Sequence, residues 1–118
     1  MDEKDLIFDW NAVDYEIERK SSNHPHDVWF DDETLRDGLQ SPSARNPTID
    51  EKIELIDYME KLGIQKVDLG LPGAGPFHVK HIDSMLTHMT ENSYELRPGC
   101  AVRTVVDDIR PLVDLQAK

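Results

Sequence analysis

Side chains able to do chemistry concentrate in one short stretch, Asp32-Glu33-Thr34-Leu35-Arg36-Asp37-Gly38-Leu39-Gln40. Arg36 carries a permanently charged planar fork suited to a carboxylate or a developing enolate. Asp37 offers hard oxygen ligands for a divalent cation. Gln40 can orient either neighbour by hydrogen bonding. Arg36 and Asp37 are adjacent, so on a regular strand they point to opposite faces. Both reach one site only if the strand has already ended, and Gly38 permits that bend. The same residues also read as an ion pair beside a glycine turn, and their chemistry alone leaves both readings open.

Other reactive side chains are weaker candidates. His24 and His26 make a His-x-His spelling but precede the first strand, where exposed histidines are expected. His78 and His81 are three apart on a helical pattern, with His88 further on; a solvated helix face is expected, with a surface metal site as the alternative. The glycine-rich run from Gly70 to Pro76 lacks dinucleotide and P-loop spacings and reads as a non-helical loop near substrate. Cys100, without a sequence-adjacent base, reads as a small core residue. Arg103 closes the third strand-like run and is expected to face the site.

The elements that must position these groups follow from periodicity. Val28-Trp29-Phe30 opens a strand that ends near Leu35, and a Ser-, Pro- and Asn-containing loop runs to Pro47. Thr48 followed by Glu51 is a capping box, and Ile53, Leu55, Ile56, Met59 and Leu62 form an apolar stripe behind it. Gly63 stands where a helix C-cap belongs. Ile64 to Leu69 is a second strand, and Phe77, Val79, Ile82, Met85, Leu86 and Met89 mark a second helix. Leu96 to Arg103 is a third strand despite its Pro and Gly, and Val105, Ile109, Leu112 and Val113 begin a third helix. Residues 1–27 read as a leader and 28–118 as repeated βα units of a parallel sheet. Periodicity does not choose between an open doubly wound sheet and a closed barrel. A closed barrel needs about 250 residues, so three units make a partial one with open edges.

Composition bounds the rest. The 118-residue chain is 38% hydrophobic and 31% charged, within the range of globular domains. No run approaches the roughly 18 apolar residues of a spanning helix, and no signal-peptide core follows the acidic start. One cysteine suits a reducing compartment, so a cytoplasmic protein is expected. A net charge of −11 with scattered basic residues argues against nucleic acid.

The run Thr34-Leu35-Arg36-Asp37-Gly38-Leu39-Gln40-Ser41-Pro42 resembles the signature that opens the barrel of the 2-isopropylmalate synthase, homocitrate synthase and 3-hydroxy-3-methylglutaryl-CoA lyase superfamily. Gly63 to Gly73 resembles that family's second strand and its glycine-proline turn, and Cys100 to Arg103 resembles its third. The resemblance covers residues 28–118. It implies the first three βα units of a (β/α)8 TIM barrel that binds a divalent metal (Mg, Mn or Zn) and condenses a 2-oxo acid with the methyl carbon of acetyl-CoA. Asp37 then matches the metal-binding aspartate, Arg36 the arginine that stabilises the substrate oxygen, and Gln40 the supporting glutamine. Asp68 stands where synthases tend to carry Glu, and with Arg103 it is expected to bind substrate. Leu39 is closer to the lyase spelling, whereas the flanking Asp32 to Leu35 and Ser41-Pro42 favour the synthases. The family's His-x-His pair and a later glutamate are expected beyond Lys118. The expected parent is a 2-isopropylmalate synthase-like acyltransferase of leucine biosynthesis, homo-oligomeric at full length, with the 118-residue chain inactive alone. The alternatives are a 3-hydroxyacyl-CoA lyase and a non-catalytic module that buries its open edge against a partner.

Overall fold

The computed structural model describes residues 29–116. The leader, with His24 and His26, lies outside the described residues. Strands and helices alternate as β1 (Asp31–Asp32), α1 (Ile49–Leu62), β2 (Lys66–Asp68), α2 (Pro76–Glu91), β3 (Arg97–Gly99) and α3 (Val106–Gln116). The strands are parallel and lie in the order β1-β2-β3, an open sheet of three consecutive βα units. This is the α/β arrangement expected of part of a TIM barrel.

Helix α1 starts and stops where local chemistry dictates. The Thr48 hydroxyl accepts the Glu51 N–H at 3.3 Å, and the Glu51 carboxylate accepts the Thr48 N–H at 2.8 Å. Arg45 forks onto the same carboxylate at 2.8 and 2.9 Å. Arg45 first, and then the Thr48 amide, hold the Glu51 carboxyl down at about 2. At the other end Gly63 adopts φ 73°, a left-handed conformation that glycine reaches without a Cβ penalty.

The strands are shorter than the apolar runs that announced them, although ladder bonds continue past their ends. Lys66 N–H reaches the Phe30 carbonyl at 3.1 Å, and Ala101 N–H reaches Gly70 at 3.0 Å. Arg97 N–H bonds Gln65 and Leu69 N–H bonds Gly99, so residues 97 and 99 face β2 while Pro98 turns its backbone to the free edge. A proline there removes no bond from the ladder.

Alternation along the strands separates two faces. Val67 and Leu69 point to the helices and join Leu35, Ile56, Met59, Ile82, Met85, Met89, Leu96 and Leu115 in one core. The opposite face carries Asp31, Lys66 and Arg97 side by side across the three strands, all exposed. The apolar stripe of α1 is narrower than its sequence suggests: Ile56 and Met59 are buried, but Leu62 is 76% exposed. The last turn of the helix runs past the core edge. The loop after β2, expected to contain no helix, includes a single 3-10 turn at Pro72–Ala74, a form short enough to tolerate its Pro and Gly.

Candidate functional site

The carboxyl end of β1 turns immediately. Arg36 N–H and Gly38 N–H both bond the Glu33 carbonyl, at 3.2 and 3.1 Å, and a 3-10 turn follows at Gly38–Gln40. The turn from Glu33 to Gly38, rather than any positive φ at Gly38, takes Arg36 and Asp37 off the strand; positive φ among the glycines is confined to Gly63, Gly70 and Gly75.

Arg36 is the hub. Its Nε donates to Asp68 Oδ2 at 3.3 Å, its Nη1 to Asp37 Oδ1 at 3.2 Å, and its Nη2 to Glu33 Oε2. Asp68 comes from the end of β2, where its other oxygen accepts the Gly70 N–H at 3.0 Å. Desolvation works against the guanidinium charge, but Glu33, Asp68 and Asp37 outweigh it and raise its pKa above the ordinary arginine value. The Arg36 side chain is 26% exposed and the Asp68 side chain 12%. The structure therefore brings Arg36, Asp37 and Asp68 together at the sheet's carboxyl end, as parallel α/β folds place reactive groups. Gln40 lines the adjacent cavity and makes no side-chain hydrogen bond to Arg36 or Asp37.

Arg103 is not joined to that cluster. Its Nε and Nη2 fork onto Asp108 at 2.8 and 2.9 Å, and its backbone N–H reaches the same carboxylate at 3.2 Å. Asp108 is 3% exposed and lies against Gly73, where an added Cβ would meet the carboxylate carbon at 2.6 Å. The pair ties the first turn of α3 to the loop after β3, with Asp108 packed against Gly73 of the loop after β2. Arg103 holds Asp108 below the usual carboxylate range, outweighing desolvation.

Asp37 fits a metal only in part. Its side chain is 69% exposed and engaged with Arg36, and among the described residues no three His, Cys, Asp or Glu side chains are grouped to hold an ion. A metal at Asp37 would take its further ligands from outside the described residues.

The histidines of α2 differ from the solvated face expected of them. His78 and His81 are half-buried and line a cavity of about 220 Å³ beside Arg36 and Gln40. His81 Nδ1 is buried without a hydrogen-bond partner. The same cavity is lined by Lys52, which is only 5% exposed. Lys52 was recoverable from periodicity, since it shares a helical face with Ile56 and Met59. His88 sits at the other end of the sheet, with Nε2 at 2.7 Å from Asp57 Oδ1 and a Tyr94 O–H that donates to the same oxygen at 2.6 Å. The Tyr94 bond, ahead of the opposing desolvation, holds Asp57 down, and Asp57 in turn pushes the Tyr94 phenol up to about 12. Cys100 is half-buried against the core, and burial, then the Asp68 charge, push its thiol up to about 12. At neutral pH it is not a thiolate nucleophile.

Comparison with known proteins adds the following. The HMGL-like family model matches residues 27–118. A 2-isopropylmalate synthase of Streptococcus gallolyticus is 38% identical over 82 residues, covering 70% of this chain and 15% of the relative. That of Neisseria gonorrhoeae is 32% identical over 95 residues, 80% of this chain and 15% of the relative. That of Crocosphaera subtropica is 40% identical over 55 residues, 47% of this chain and 10% of the relative. The chain thus spans a small part of the length of the curated relatives it matches. No solved structure matches it. Among the described residues no helix is long and apolar enough to cross a membrane.

Proposed function

Since this chain belongs to the HMGL-like family, we propose that it contributes the Arg36 side of the active site of an acyltransferase that condenses acetyl-CoA with a 2-oxo acid, in the manner of a 2-isopropylmalate synthase. The observation that carries this is the Arg36 cluster, a guanidinium fixed at the end of β1 by carboxylates from two successive strand ends. In such a condensation the methyl carbon of acetyl-CoA loses a proton and attacks the oxo carbon, and negative charge gathers on oxygen. A cation fixed beforehand stabilises that charge without reorganising during the step. Glu33 and Asp68 keep Arg36 charged and limit its rotation, so they act as positioning residues. If the divalent metal implied by the resemblance binds, Asp37 is the carboxylate that would hold it, with further ligands needed beyond it.

The test uses the intact protein, with free CoA released from acetyl-CoA measured as a function of 2-oxo acid. Release that depends on the oxo acid and falls sharply in Asp37→Asn and Arg36→Lys supports the assignment. Cleavage of a 3-hydroxyacyl-CoA to acetyl-CoA, without condensation, would assign the reverse, lyase chemistry. Unchanged turnover in both variants would remove the cluster from the active site.

A further inference from the structure

Large apolar side chains are exposed together along the flank of the molecule beyond β1. Phe30 is 67% exposed, Tyr58 51% and Leu62 76%. Trp29 stacks on Arg97 over the face of the sheet that carries Asp31 and Lys66, so alternation turns Phe30 toward the helix side. Gln65 ties Phe30 to the end of α1: its side-chain carbonyl accepts the Phe30 N–H at 2.8 Å, and its amide donates to the Gly63 carbonyl at 2.7 Å. On α1 itself, Asp57 reaches His88 of α2 and Glu60 reaches Leu96 at the entry to β3. Leu55, Tyr58 and Leu62 share another side of that helix, turned away from α2. Helix α2 lies beside α1 toward β3, and among the described residues no element flanks α1 beyond β1. A group of large exposed apolar side chains marks an interaction surface.

The chain carries a segment of matching pattern. In the leader, Leu6, Trp10, Val13 and Ile17 recur four, three and four residues apart, the spacing of one apolar helical face, with Asp9, Asp14 and Glu16 between them. We propose that residues 6–17 dock as an amphipathic helix on the flank formed by Phe30, Tyr58 and Leu62, beside α1 on the side opposite α2. Length and tether both fit. Such a helix spans about 18 Å, against about 21 Å for the 14 residues of α1. Residues 18–28 then return the chain to Trp29, next to Phe30. Covalent attachment makes docking intramolecular, at an effective concentration on the order of mM, which favours the leader over a second copy of the chain. Docking there is independent of the acyl-transfer chemistry, because no residue of the flank belongs to the Arg36 cluster.

The chain has two tryptophans, Trp10 and Trp29, so Trp29→Phe leaves Trp10 as the reporter in the full chain. Acrylamide quenching of Trp10 should be several-fold weaker in the folded protein than in urea, with emission shifted to shorter wavelength. Phe30→Asp and Leu62→Glu, both at exposed positions outside the core, should each raise quenching to the urea value while cooperative urea unfolding is retained. Val113→Asp, at an exposed apolar position on α3, should leave the shielding in place. Trp10 quenched in the folded protein as strongly as in urea would overturn the proposal. Shielding that survives both flank variants would also overturn it, by placing the leader elsewhere. Shielding lost on dilution would do the same, by making a second copy the occupant.

Discussion

The two ends of the sheet treat their polar groups in opposite ways. At the amino end every named group has a local partner. Asp57 receives Tyr94 and His88, Asn92 bonds the His88 carbonyl at 2.8 Å, and Glu60 accepts the N–H groups of Glu95 and Leu96 at 3.1 and 2.9 Å as the chain enters β3. Arg97 stacks on Trp29 with its guanidinium 4.6 Å from the ring centroid. At the carboxyl end, three carboxylates converge on one arginine, while among the described residues the buried His81 Nδ1 has no hydrogen-bond partner. A closed network stabilises the fold, whereas unsatisfied groups cost stability and persist where a ligand can complete them. The amino end is thus closed by local pairs, whereas the carboxyl end gathers charge around Arg36 and leaves a ring nitrogen unsatisfied.

The sharpest way to break this contrast is at Arg36. Arg36→Ala should lower turnover of the intact protein by roughly 10²–10³-fold, the range for loss of a preorganised donor to a developing oxyanion. Circular dichroism should show the fold retained; an unaltered rate would make the cluster structural.

Next in size is Glu60→Ala at the opposite end. It leaves two backbone donors without their carboxylate, and should cost about 2 kcal/mol in urea denaturation with activity per folded molecule unchanged. A fall in activity without a fall in stability would reverse the roles assigned to the two ends.

A smaller effect is expected at the α1 cap. Glu51 is held at about 2 in the fold against an ordinary 4.5, so its contribution is fully present above about pH 4.5 and is lost as pH falls toward 2. Glu51→Gln should therefore flatten the acid limb of a melting-temperature profile over that window. A profile that keeps its slope would place the acid sensitivity elsewhere, with Asp57 the next carboxyl to examine.

The smallest expected change is also the most diagnostic. Lys52→Met should leave stability within about 0.5 kcal/mol or raise it, because it removes a charge on a largely buried side chain that has no ion pair among the described residues, and keeps the volume. A loss of several kcal/mol would show that Lys52 has a structural partner and that the carboxyl end is not under-satisfied.

Much of this contrast is legible in the sequence where it depends on neighbours in the chain. Thr48, Glu51 and Gly63 specify both ends of α1, because a capping box and a left-handed C-cap are settled within a few residues. The motif around Arg36 marks the turn at the end of β1, since a charged fork, a carboxylate and a glycine succeed one another without a gap. The Arg36–Asp68 contact is not legible, because it joins residues separated by 32 positions whose meeting depends on the β1–β2 register. Arg103 illustrates the same limit. Its spelling at a strand end suits a substrate contact, but the approach of α3 to Gly73 commits it to Asp108. His78 and His81 share a face in sequence, yet whether that face meets water or a cavity is decided by how α2 lies against α1.

The sequence alone thus determined the order of strands and helices, the limits of α1 and the turn that carries Arg36 and Asp37, because all of these rest on interactions a few residues apart. Tertiary structure decided which charges are paired and which are left waiting. Burial and partner choice depend on what packing brings across the chain, and the pairing of Arg36 and the burial of His81 Nδ1 exist only once the helices have closed over the sheet.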